Sequence, residues 1–221
     1  MEAPTERTRV RRIPERGDYD RATIDKILDE ALFCHVGITS ADGYPVVIPT
    51  IHARSGDTLY LHGSPASRLL RSMKSGEEIC VTVTLLDGLV VARSAFHNSM
   101  NYRSVVVIGE PRIVDSPAEK LAALEYVTNH VVAGRWAQSR PVTEKEIKGT
   151  LVVALELTEA SAKVRGHGAV DDESDYDEPI WAGVIPIATT AGEPIPDDRL
   201  LNGVEIPANV ANYSRPGWSS P

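Results

Sequence analysis

Apolar residues along this chain repeat with two periods, and each change of period marks a boundary. After Asp20, whose carboxylate can cap a helix, Ile24, Ile27, Leu28 and Leu32 recur at spacings of three and four and predict one amphipathic helix. Short β-type runs follow at residues 32–39, 44–53, 58–63, 79–86, 89–94 and 103–114, punctuated by Ala41-Asp42-Gly43 and Ser55-Gly56-Asp57, which tolerate tight turns. The first three runs read as a meander of hairpins. In Ser64-Pro65-Ala66-Ser67-Arg68 a capping serine precedes a proline suited to the first helical position, so a short helix is expected to start there and run toward Met73. Ser116-Pro117-Ala118-Glu119 and Thr143-Glu144-Lys145-Glu146 carry the capping-box pattern ahead of two further helices. Residues 151–157 and 162–166 return to strand character, 168–178 read as an acidic exposed loop, and 181–187 are again apolar. Six or more strands with helices between them predict one mainly β, α+β domain over residues 1–221, an antiparallel barrel with a charged arm at 1–17 and an irregular tail at 188–221.

Composition narrows the class. With 42% hydrophobic and 24% charged residues in 221, the chain has a globular balance that excludes wholesale disorder. No apolar run approaches the roughly 18 residues of a membrane helix, and the Arg-rich start (Arg7, Arg9, Arg11, Arg12, Arg16) precedes no hydrophobic signal core, so a cytoplasmic location is expected. The excess of 31 acidic over 23 basic residues, a formal charge of -8, disfavours nucleic acid as a partner. Cys34 and Cys80 lie far apart in apolar segments without zinc or redox spacing, and are expected as reduced core thiols.

Two stretches carry candidate chemistry. In His62-Gly63-Ser64-Pro65-Ala66-Ser67-Arg68 a strand ends in a glycine turn and a helix begins with hydroxyls and a guanidinium, the outline of an anion site, with a plain capped helix as the alternative. In Phe96-His97-Asn98-Ser99-Met100-Asn101-Tyr102-Arg103-Ser104, polar donors precede a β-branched run; they can grip a polar heterocycle by its edge or simply end a hairpin. His52, His62 and His97 lack a carboxylate at metal-site spacing, and no metal is expected. Neither a P-loop, a G-x-G-x-x-G fingerprint nor a nucleophile elbow occurs.

Asp42-Gly43-Tyr44-Pro45 leading into Val46-Val47-Ile48-Pro49, then Leu59-Tyr60-Leu61-His62 with Ser67-Arg68, then Tyr102-Arg103-Ser104-Val105-Val106 with Gly109, resemble the pyridoxamine 5'-phosphate oxidase-like family, most closely its nitroimidazole-resistance-like branch. The resemblance covers residues 24–114, and Trp181-Ala182-Gly183-Val184-Ile185-Pro186 is similar to the family's closing strand. It implies a six-stranded split β-barrel, a homodimer, and FMN in a groove at the subunit interface. Pro49, Thr50 and Ile51 would then run along the flavin ring, His62 would stand near the phosphate, and Ser67 and Arg68 would hold it. Asn101, Tyr102, Arg103 and Ser104 would line the ring, with Trp181 approaching from the second subunit. The family's oxidases carry lysines where this chain has Ile51 and Leu69, and the basic residues that hold pyridoxamine phosphate have no evident counterparts. The expected activity is an FMN-dependent transfer of two electrons between NAD(P)H and a small planar acceptor, a nitroaromatic or quinone. No side chain is expected as a general acid or base. The alternative is a flavin or tetrapyrrole (haem) carrier or sensor without turnover.

Overall fold

The computed structural model describes residues 2–74 and 76–218. Ten strands form one sheet: β1 (Gly17–Asp18), β2 (Phe33–Thr39), β3 (Pro45–Ser55), β4 (Thr58–Gly63), β5 (Ile79–Val91), β6 (Ser99–Gly109), β7 (Arg112–Ile113), β8 (Leu151–Glu156), β9 (Ala160–Arg165) and β10 (Gly183–Pro186). The helices are α1 (Arg21–Glu30), α2 (Arg68–Met73), α3 (Pro117–Val131), α4 (Arg135–Gln138), α5 (Glu144–Gly149) and α6 (Ala208–Ala211). The architecture is the mainly antiparallel α+β class expected, with ten strands among the described residues where the pattern predicts six or more and the resemblance implies six.

Strand order is β1-β9-β6-β5-β2-β3-β4-β8-β7, with β10 added along β5. β3 does double duty: its residues 45–51 pair with β2 and its residues 52–55 pair with β4, so one bent strand joins the two halves of the barrel. The two runs expected at 79–86 and 89–94 are one strand, because the irregularity between Leu86 and Gly88 is a bulge against β6 and not a turn. Likewise the run expected at 103–114 starts earlier and breaks, giving β6 and the short β7.

Alternation fills the barrel. Val36, Val81, Val83, Val105, Val107, Leu59, Leu61, Val153 and Leu155 are almost completely buried and meet Ile27 and Leu28 of α1 and Met73 of α2. Burying side chains of this size contributes about 1.5–3 kcal/mol each, before the cost of ordering them. Asp20 caps α1 by accepting from the Thr23 amide (3.3 Å), and Thr143 with Glu146 completes the capping box of α5.

The other end of α1 is closed from far away. Its last carbonyls have no helical partner. Leu28 O meets His52 Nε2 at 2.9 Å, Asp29 O and Glu30 O accept from Arg215 (2.8 and 3.3 Å), and Ala31 O meets His130 Nε2 at 2.8 Å. The tail is therefore docked: Tyr213 donates to Val131 O at 2.8 Å, and Asn209 donates to Ala133 O at 2.6 Å. The arm is docked too, since β1 pairs with β9 and Thr8 is buried. Cys34 is buried as expected, but Cys80 is exposed, because it falls on the outward-facing parity of β5.

Candidate functional site

A cleft of about 480 Å³ opens between the β2–β3 turn and α2, lined by Thr39, Asp42, Tyr44, Arg68, Arg71 and Glu77 among others. Ser67 caps α2 by accepting from the Leu70 amide (3.2 Å), which sets the first turn and projects Arg68 and Arg71, three residues apart, from one face. Among the described residues neither guanidinium makes an ion pair. Two exposed cations held on one face by a capped helix are an anion-gripping arrangement. Arg71 was missed in the sequence, although its spacing from Arg68 within an expected helix was the signal. His62 stands on β4; its Nδ1 is buried without a hydrogen-bond partner, and burial pushes its pKa below the usual imidazole value.

The expected ring-binding residues are divided by strand alternation. On β3, Pro49 and Ile51 face outward with Val47, whereas Thr50 is half-buried and its carbonyl accepts from Cys34 Sγ at 3.5 Å. Burial raises the Cys34 thiol to about 12, so it stays protonated. Pro49 pairs with His35 and Ile51 with Phe33, and Phe33 is 54% exposed. On β6, Tyr102 and Ser104 lie opposite Leu86 and Thr84, and the Ser104 hydroxyl donates to Lys163 O at 3.3 Å.

Asn101 and Arg103 are engaged elsewhere. Arg103 donates to both oxygens of the buried Glu30 and to both of Asp87 (3.0 and 2.7 Å), and these carboxylates raise its pKa still further. Asn101 is buried and accepts from Arg165 Nη1. Four consecutive residues on an extended strand cannot share one face. Trp181 is 66% exposed just ahead of β10, its ring lying where a side chain at Gly183 would be.

The three histidines considered as a metal set do not converge. His52 is buried at the end of α1, and its pKa falls to about 4 through burial and the neighbouring His130. His97 stands instead beside Asp172 and Asp175, with ligand atoms of the three within 4.8 Å of one another on exposed loops.

The family described as pyridoxamine 5'-phosphate oxidase matches residues 20–164. Among solved structures, the chain is 43% identical to the flavocytochrome Anf3 from Azotobacter vinelandii, with a TM-score of 0.91 over 95% of this chain and 97% of that one. It is 34% identical to a FAD and haem binding protein from Mycobacterium smegmatis, with a TM-score of 0.84 over 88% and 95%. A protein from Bacteroides thetaiotaomicron named for 5-nitroimidazole antibiotic resistance shares the fold, at 24% identity and a TM-score of 0.57 over 67% and 86%. No curated protein matches the chain.

Proposed function

The chain belongs to the pyridoxamine 5'-phosphate oxidase family, and we propose that it is a flavoprotein oxidoreductase whose flavin nucleotide sets its phosphate against Arg68 and Arg71. The observation that carries this reading is the pair of guanidiniums on one face of α2, with no ion pair among the described residues, beside a cleft of about 480 Å³. Guanidinium forks match phosphate oxygens and hold them by charge-assisted hydrogen bonds. FMN and FAD share that phosphate; the name of the Mycobacterium smegmatis protein favours FAD over the FMN expected from sequence. Pro49 and Ile51 offer the ring an apolar wall, with Tyr102 and Ser104 on the same sheet surface. Once bound, the flavin supplies two-electron chemistry at its N5, and the chain's task is to position the ring, screen it from water and tune its electronics. The proposed donor is NAD(P)H and the proposed acceptor a small planar nitroaromatic or quinone.

The outer sheet surface also supports a homodimer. Phe33, Val47, Ile51 and Leu86 are exposed apolar residues on neighbouring strands, a surface that a two-fold-related copy would cover while closing each groove. Trp181 is free to reach across such an interface.

A second reading adds haem as electron acceptor, and the names of the Azotobacter vinelandii and Mycobacterium smegmatis relatives favour it. Imidazole is a common ligand of haem iron; His35 is exposed beside Phe33 (ring centroids 5.6 Å) and has no hydrogen-bond partner among the described residues. The test is the absorption spectrum of the purified protein, then anaerobic NADH or NADPH. A visible flavin band that bleaches supports the oxidoreductase, and a Soret band lost selectively in His35→Ala supports the haem reading. A colourless protein that takes up neither FMN nor FAD overturns both.

A further inference from the structure

The N-terminal arm, the start of β6 and the loop after β9 flank a second cavity of about 440 Å³, lined by Arg12, Arg16 and Arg165 and, among others, by Ser99, Asp171 and Asp172. We infer that this cavity is a binding site for an oxyanion, a phosphate or carboxylate group carried by a small ligand, held by Arg12, Arg16 and Arg165.

Arg165 is the centre of the argument. The residue is 4% exposed, yet no carboxylate among the described residues pairs with it. Its Nη atoms donate to Asn101 Oδ1, to His167 O (2.8 Å) and to Gly168 O (2.9 Å), while its Nε is buried with no partner. A buried charge without a counter-charge is costly, and so is a buried donor left unmade. Burial, with the nearby charge of Arg16, lowers the Arg165 pKa from its ordinary value.

The two carboxylates that line the same cavity do not pair with these arginines. Asp171, whose side chain is fully buried, is taken by Arg93 Nη1 at 3.1 Å and by the amides of Arg93 and Ser94 (3.0 and 3.3 Å). Asp172 is exposed and stands 3.5 Å from His97 Nε2. Arg12 and Arg16 make no ion pair among the described residues. They are brought to the cavity by backbone: a turn at Pro14–Arg16, the β1–β9 pairing, and the Val10 amide donating to Tyr19 Oη at 2.9 Å. Three guanidiniums on one cavity repel one another unless an anion lies between them.

This site is distinct from the cleft at Arg68 and does not rest on the flavin reading. Glu77 of the first cleft precedes the start of β5 at Ile79, whereas Ser99 of the second pairs with Val90, about 35 Å further along that strand. One phosphate cannot serve both.

The test titrates the purified full chain, in an Arg68→Gln/Arg71→Gln background that silences the first cleft, with inorganic pyrophosphate and separately with succinate by calorimetry. Saturable binding is expected, weakened roughly tenfold or more when Arg12→Gln/Arg16→Gln is added, since charge-assisted hydrogen bonds from the two guanidiniums are lost. Arg165→Lys, which keeps the charge and loses the fork, should weaken it as well. Selective pyrophosphate binding assigns a phosphate-bearing ligand and selective succinate binding a carboxylate-bearing one. Absence of binding by both anions, or equal affinity in the arm variant, overturns the site.

Discussion

The two ends of this molecule's short helices treat charge in opposite ways. At the C-terminus of α1 every orphan carbonyl from Leu28 to Ala31 has a side-chain partner, and the adjoining Glu30 is held by Arg103. On α2, Arg68 and Arg71 project into a cleft with no ion pair among the described residues. Closed accounts of donors and acceptors mark the part of the fold that must stay still, and open ones mark the part left for a ligand. If that contrast is correct, substitutions on the α1 side should cost stability, and those on the α2 side should cost ligand binding.

The largest effect on stability is expected at Arg103. Removing it leaves Glu30, with a side chain 4% exposed, as an unpaired charge in the protein. Breaking a buried pair from one side costs about 3–5 kcal/mol, and the partial exposure of Arg103 places Arg103→Ala toward the lower end. Urea unfolding measures it. A change within about 0.5 kcal/mol, as for an ordinary surface residue, would remove Arg103 from the structural side of the contrast.

The next effect is pH-dependent. His52 has its pKa lowered from 6.5 to about 4, chiefly by burial and then by His130. The unfolded chain therefore binds a proton that the folded chain refuses between those values. Stability attributable to His52 is complete above pH 6.5 and is lost as pH falls toward 4, by up to about 3 kcal/mol. In His52→Gln the unfolding midpoint should change less across that window than in the parent chain. An identical pH profile would show that His52 does not close Leu28 O as a neutral imidazole.

How much of this could be read from the sequence follows from range. The caps at Asp20, Ser116 and Thr143 were legible because each acts within three residues, whereas the cap of α2 falls at Ser67, three residues past the Ser64 expected ahead of Pro65. β2, β3 and β4 were legible because short turns join them. The division of Asn101–Ser104 was not, because the strand run was expected to begin at residue 103, whereas β6 starts at Ser99 and alternation then sends the four side chains to two faces. Arg215 looked like one more residue of an irregular tail; its partner Glu30 lies 185 positions away, and no local pattern announces such a contact. Arg68 was singled out because helix-start physics and the family resemblance agree there, and Arg103 was set among the ring-lining residues with Asn101, Tyr102 and Ser104 because residue type alone cannot tell a paired arginine from an open one.

The smallest effect on stability, and the sharpest discrimination, belongs to Arg68. Its exposed guanidinium has no ion pair to lose among the described residues, so Arg68→Ala should change unfolding free energy by less than about 0.5 kcal/mol. Ligand binding should respond differently. A charge-assisted contact to the flavin phosphate is worth about 1.5–3 kcal/mol, so FMN affinity should fall roughly 10- to 150-fold. Riboflavin carries no phosphate and should bind parent and variant almost alike, which separates loss of the contact from loss of the fold. Fluorescence quenching with both flavins makes the comparison. Equal losses for FMN and riboflavin, or none for FMN, would place the phosphate elsewhere, and the open cations of α2 would lose the role that sets them apart from Arg103.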